Sequence, residues 1–248
     1  MKTKTNTNIK SKAALVSAAL FLAAGTSAQA ALLITNGGFE SGLTGWTRAD
    51  QVGSDGTFFI QSGTSSPLNG FAVPAAPEGF QAAMTDSAAG GAHALYQDFV
   101  VPSDVTSASV GFSLFLNNGS DTYINPAFLD WAQTNTNGVL NLNQQARVDI
   151  VTTGADLFSV VSGAVLQNLF QTSTTTPLVT GYNAFNINIT SLLQAHAGET
   201  LRLRFAETDN VNFFNFGVDN VSVNAVPAPS ALVVVIGGLM TARRRRGA

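Results

Sequence analysis

The chain of 248 residues has no cysteine. That excludes a disulfide framework, thiolate zinc sites and a cysteine nucleophile. Charge is scarce as well: Asp, Glu, Lys and Arg make up 11%, less than half of the roughly 25% usual in soluble domains. With 45% apolar residues, so few charges argue against a solvated, disordered chain. There are two histidines, His93 and His196, and neither belongs to a metal-ligand or triad spacing. No G-x-S-x-G and no P-loop occurs, and GSDGT (Gly53 to Thr57) reads as a turn. Catalysis has no positive signal, so the chain is not expected to be an enzyme. Its 15 acids always allow some carboxylate pair, which leaves a polysaccharide-active enzyme as a rival reading.

Lysine is missing from the whole middle of the chain. Between Ala31 and Ala225 stand 15 acids and four arginines (Arg48, Arg147, Arg202 and Arg204), a net charge of -11. Such a segment repels phosphate backbones, which excludes nucleic acid as a partner. The other cations sit at the ends: Lys2, Lys4, Lys10 and Lys12 open the chain, and Arg243, Arg244, Arg245 and Arg246 close it.

Both ends read as addresses. The lysine-rich start leads into an apolar run, Ala13 to Ala24, and then to Ala28-Gln29-Ala30. This is the pattern of a secretory signal peptide (1–30), cut after Ala30 and read by the Sec export machinery. At the other end, Val226-Pro227-Ala228-Pro229-Ser230 is expected to break the preceding strand, because proline cannot donate to a ladder. An apolar run, Ala231 to Ala242, and the four arginines follow. Twelve helical residues rise about 18 Å, and extension back to Ala225 gives about 27 Å, a marginal membrane span. The arginines would hold the end on the cytoplasmic side. The expected precursor is anchored in the inner membrane with its body outside.

This order resembles the PEP-CTERM sorting signal in a Pro-Ala-Pro-Ser variant, with Ala228 at the usual glutamate position. The resemblance covers 226–248 and implies export by a Gram-negative bacterium and processing by an exosortase. An ordinary single-helix tail anchor is the alternative.

The middle, 31–225, is expected to form one all-β domain. Alternation of period two marks Ser107 to Leu116, Tyr182 to Ile189, Glu199 to Glu207 and Phe213 to Val223. The last of these changes phase near Asp219-Asn220, which predicts a bulge. In Glu199 to Glu207, Leu201, Leu203 and Phe205 face inward and Arg202 and Arg204 outward. Further strands are expected at Leu32 to Thr35, Thr57 to Ile60, Gln81 to Met84, Ala94 to Val101, Arg147 to Thr152 and Phe158 to Val161. One short helix follows a Thr190 cap and ends at Gly198. The Asn/Thr/Gln-rich stretch Asn117 to Gln145 reads as a long insertion.

Four stretches carry a second resemblance. They are LLITNGGFESGLTGWT (Leu32 to Thr47), Pro77 to Phe99, Thr190 to Thr208 and FGVDNVSV (Phe216 to Val223). Together they are similar to galactose-binding-like jelly-roll domains, the β-sandwich fold of many carbohydrate-binding modules. The resemblance implies that the first and last strands are neighbours. It also implies that Glu40 and Asp219, with Glu78 as a weaker third, hold a structural Ca²⁺. Calcium takes about six to eight hard oxygens, which carboxylates and loop carbonyls supply.

Trp46 is expected in the core. Trp131 and Tyr123 lie among Asn, Asp and Gln of the insertion, the mixture a sugar site uses. The functional expectation is an exported cell-envelope or exopolysaccharide-associated protein that binds extracellular polysaccharide without chemistry. A purely structural surface or matrix protein that binds other proteins is the main rival.

Overall fold

A computed structural model describes residues 29–229. Residues 1–28 of the expected signal peptide, Ser230, the apolar run and Arg243 to Arg246 lie outside the described residues. Among the described residues no helix is long and apolar enough to cross a membrane.

In chain order the elements are β1 (Ala31–Leu32), β2 (Thr47–Asp50), β3 (Thr57–Ser62), β4 (Gln81–Asp86), β5 (Gly91–Val100), β6 (Val105–Asn118), β7 (Gln144–Thr152), β8 (Val165–Gln171), β9 (Asn183–Asn188), α1 (Thr190–Ala195), β10 (Thr200–Asp209) and β11 (Phe214–Pro227). They form two antiparallel sheets. One has the order β3-β4-β11-β6-β9, with β1 added beside β11, and the other has the order β2-β5-β10-β7-β8. From β4 to β7, and again from β8 to β11, successive strands alternate between the sheets. The result is an all-β sandwich, as the alternation of the sequence predicts, with the jelly-roll arrangement that the second resemblance implies.

The core lies between the sheets. Ala108, Val110, Phe112, Leu114 and Leu116 of β6 meet Leu201, Leu203 and Phe205 of β10 there. Phe112 stands edge-on to Phe205 at 5.8 Å between ring centroids. Trp46 packs between Phe39 and Phe205, and its indole N–H donates to the Asn36 carbonyl at 3.0 Å.

The predicted bulge is present: the β11–β6 register shifts between Asp219 and Ser222, and Asn220 has a φ of 51°. It has a structural reason. On its other side β11 pairs with β4 at Gly217 and Val218, and with β1 at Asn224 and Ala225. The neighbour changes at the bulge. Val221 N–H there donates to the Gly37 carbonyl at 2.9 Å, and a Cβ on Gly37 would overlap the Val221 carbonyl oxygen.

Several details depart from the sequence expectations. Strand β11 continues through Pro227, whose first proline sits at a ladder end beyond a second register shift. Strands β2 and β8, both on sheet edges, carried no expectation. Thr190 does not cap α1; its hydroxyl accepts from Ala108 N–H at 2.8 Å and ties the helix to β6. Phe158 to Val161 is not a strand. That segment instead covers Arg204, which points outward as predicted yet is fully buried.

The Arg204 guanidinium donates to the Leu157 and Ser159 carbonyls at 2.7 and 2.8 Å and to Asp149 Oδ2 at 2.6 Å. Asp149, equally buried, also takes two bonds of 2.7 Å from Arg147. Removing one partner of such a network strands charge away from water. Asp149→Ala is therefore expected to cost about 3–5 kcal/mol of stability. Glu199→Ala, which breaks the exposed His196–Glu199 pair, is expected to cost less than about 1 kcal/mol. Urea denaturation of both variants checks the contrast.

Candidate functional site

Two turns that cross between the sheets lie side by side and frame a cleft of about 290 Å³. Ser87 to Gly90 joins β4 to β5, and Asn210 to Phe213 joins β10 to β11. Asp209, the last residue of β10, lines the same cleft. Its Oδ1 accepts Gly91 N–H at 2.9 Å.

The long insertion closes one flank. Its ends are 119 and 143, because β6 and β7 reach further than the sequence suggests. It is held by amide side chains. Gln145 donates to the Pro126 and Phe128 carbonyls at 3.1 and 3.0 Å, and Asn210 donates to the Trp131 and Asn141 carbonyls at 2.6 and 2.9 Å. These Asn and Gln residues satisfy loop backbone, the obligatory need of a long segment without a ladder.

Trp131 is half-buried beside the cleft. Its ring approaches two glycines: Cζ2 is 3.3 Å from where a Cβ of Gly53 would stand, and Cε3 is 3.3 Å from that of Gly90. The indole N–H has no partner. Tyr123 is placed differently. It is 1% exposed, packs on Phe214, and donates to the Pro177 and Leu178 carbonyls at 3.2 and 3.3 Å. Burial pushes its hydroxyl well above the usual phenol range. Tyr123 thus plugs the insertion into the core and presents no face to a sugar.

The aromatic surface at the cleft comes from residues with no sequence expectation, Phe71 and Phe213. Their rings stack with centroids 4.5 Å apart at 26°, and both remain partly exposed. Phe71 ends the turn Pro67 to Gly70, and a Phe beside such a turn is the only signal the sequence offers. Asp86 anchors that turn. Its carboxylate accepts Leu68 and Asn69 N–H at 2.7 and 2.9 Å, and the Asn69 and Asn215 amides at 2.8 and 3.1 Å.

A second gathering forms at the β11 bulge, from the three residues of the calcium expectation. Glu40 Oε1 accepts Phe80 and Gln81 N–H at 2.7 and 2.8 Å. Asp219 Oδ2 accepts Glu78 N–H at 3.0 Å, and its Oδ1 is buried with no partner. The Glu78 carboxylate lies over Gly38, 3.1 Å from where a Cβ there would stand. Burial, reinforced by the Glu78 and Glu40 charges, pushes Asp219 up to about 6. Asp219 Oδ1 is thus an unpartnered buried oxygen near two further carboxylates, but the ligand atoms of the three do not all lie within 4.8 Å of one another.

No protein-family model matches the chain, and no curated protein matches it. Solved structures of similar architecture include the module TmCBM61 in complex with β-1,4-galactotriose, at 13% identity and a TM-score of 0.44 over 78% of this chain and 97% of that one. Another is a Stig cyclase, Fisc, from Fischerella sp. TAU, at 16% identity and a TM-score of 0.45 over 81% of this chain and 100% of that one. A third is the K3 adhesin domain of Lys-gingipain from Porphyromonas gingivalis W83, at 12% identity and a TM-score of 0.44 over 78% and 97%. One of these three is named for a bound sugar, one as a cyclase and one as an adhesin, and none assigns a ligand to this chain.

Burial works to push Asp86 up, but its hydrogen bonds, led by Asn69 and Leu68 N–H, hold it below the usual 3.8. A lowered folded value stabilises the fold above the unfolded value and is lost as pH falls through the folded one. The wild type is thus expected to lose stability below about pH 3.8, and Asp86→Ala to show a smaller loss. At neutral pH that variant is expected to be weaker by about 1–3 kcal/mol. Denaturation midpoints across pH measure both.

Proposed function

We propose that the chain is an exported, non-catalytic protein that binds extracellular polysaccharide at the cell surface or in the matrix. The stacked Phe71–Phe213 pair beside a polar cleft carries this reading. A sugar ring offers an apolar CH face and a rim of hydroxyls. Stacked phenyl rings accept the first, and Ser87, Asp209 and the turn backbone of Ser87 to Gly90 accept or donate to the second.

The terminal patterns support the rest of the reading. The body is released from its signal peptide after Ala30. It is held in the inner membrane by the C-terminal run and processed by an exosortase at Val226-Pro227-Ala228-Pro229-Ser230. Glu40, Glu78 and Asp219 hold a structural Ca²⁺, which would neutralise their mutual repulsion and fix the first and last strands.

Three measurements test this. Phe71→Ala and Phe213→Ala are expected to weaken retention on the exopolysaccharide about tenfold, a loss of about 1.4 kcal/mol, with the unfolding midpoint little changed. Equal retention of wild type and variants would overturn the site, and release of reducing ends would make the protein an enzyme. Calcium at about 100 times its dissociation constant is expected to add about 2.7 kcal/mol to EDTA-treated protein, and nothing to Asp219→Asn. The intact mass of the protein recovered from cells is expected to show both terminal losses, and a full-length mass would sink the processing scheme.

A further inference from the structure

Three buried side chains meet at the cleft end of the second sheet: His93 of β5 and Glu207 and Asp209 of β10. Each offers a ligand atom, and these atoms all lie within 4.8 Å of one another. Among the described residues no other three histidines or carboxylates come so close. Strand register explains the meeting. His93 is the direct partner of Glu207, and Asp209 follows two residues later on the same face. That face is the inward one, continuing the line of Leu201, Leu203 and Phe205.

We infer that His93, Glu207 and Asp209 form a binding site for a divalent transition cation of the zinc or manganese kind. The histidine makes the first argument. Its Nδ1–H donates to Asp50 Oδ1 at 2.8 Å, since a carboxylate can only accept. In a neutral imidazole that leaves a lone pair on Nε2. Nε2 is buried and has no partner. A carboxylate that orients a histidine whose other nitrogen faces two acids is the usual outer support of a metal ligand.

Charge makes the second argument. Glu207 and Asp209 are 1% and 2% exposed. Among the described residues no Arg or Lys pairs with either, and Glu207 Oε1 has no hydrogen-bond partner. Buried carboxylates of this kind need either protons or a cation.

Local space makes the third. A Cβ on Gly91 would overlap His93 Nε2 and stand 3.0 Å from the Asp55 carbonyl oxygen. Glycine there leaves room that a nitrogen and a further hard oxygen both face. One imidazole with two carboxylates suits zinc, with a fourth position left for a carbonyl or water. Calcium and magnesium prefer all-oxygen sets, so this site is distinct in chemistry from the one at Glu40, Glu78 and Asp219.

The test uses the full-length protein, stripped with chelator. Calorimetric titration with Zn²⁺ and with Mn²⁺ is expected to show one equivalent bound to the wild type, with a rise in unfolding midpoint. Glu207→Gln and Asp209→Asn are expected to abolish that binding while keeping the response to Ca²⁺. Asp50→Asn is expected to weaken it about 10- to 100-fold. Co²⁺ bound to wild type is expected to give visible d–d absorption. Stripped wild type that binds neither Zn²⁺ nor Mn²⁺ and keeps its midpoint would overturn the site and leave a proton-held cluster. That result needs no variant to fold. Binding that survives in folded Glu207→Gln would equally overturn it.

Discussion

Strand β10 is the constraint on which the rest depends. It is hydrogen-bonded along nearly its whole length to β5 on one side and β7 on the other. Its period of two therefore cannot slip without exchanging its faces. One face carries Leu201, Leu203 and Phe205 into the core and then, with no change of phase, Glu207 and Asp209. The other face carries Arg202 and Arg204 to acids on the same two neighbours, Asp98 of β5 and Asp149 of β7. The apolar core, the buried acids by the cleft and the ion-pair face are three consequences of one register.

That explains what was legible in the sequence. The alternation of ETLRLRFAE named the faces correctly, and the phase break at Asp219-Asn220 located the bulge. It did not show that an outward face can still be buried. Arg204 is covered by Leu157 to Ser159, a segment whose own alternation imitates a strand. Edge strands β2 and β8 escaped because they bury little and so carry weak patterning.

Residues that meet across the fold carried little local signal in the sequence. Glu40 and Asp219 meet near the β1–β11 junction. Phe71 and Phe213 are 142 positions apart, and only the turn before Phe71 distinguishes either from the core phenylalanines. His93 pairs with Glu207 across 114 positions. A reader of the sequence could still have noticed that Glu207 and Asp209 keep the inward phase of β10. A carboxylate in phase with Leu and Phe is a buried charge in waiting. The reverse error concerns Tyr123. Polar neighbours suggested a sugar platform, whereas a 25-residue insertion (119–143) needs an aromatic anchor of its own.

The absence of lysine from the middle of the chain now has a structural meaning. Only four arginines accompany 15 acids between Ala31 and Ala225. Arg147 and Arg204 both serve Asp149, Arg202 serves Asp98 and stacks 4.0 Å over Tyr96, and Arg48 donates to the Phe58 carbonyl. Every cation of the described body is therefore committed away from its two carboxylate gatherings. Acids on a surface need no partner, because water screens them. Buried acids do, and Asp209, Glu207 and Asp219 are buried. A body that places acids inside and no arginine beside them leaves their neutralisation to protons or to ions from outside. The state of these three carboxylates is therefore tied to what the surrounding solution supplies, whereas Asp149 and Asp98 are satisfied from within the chain.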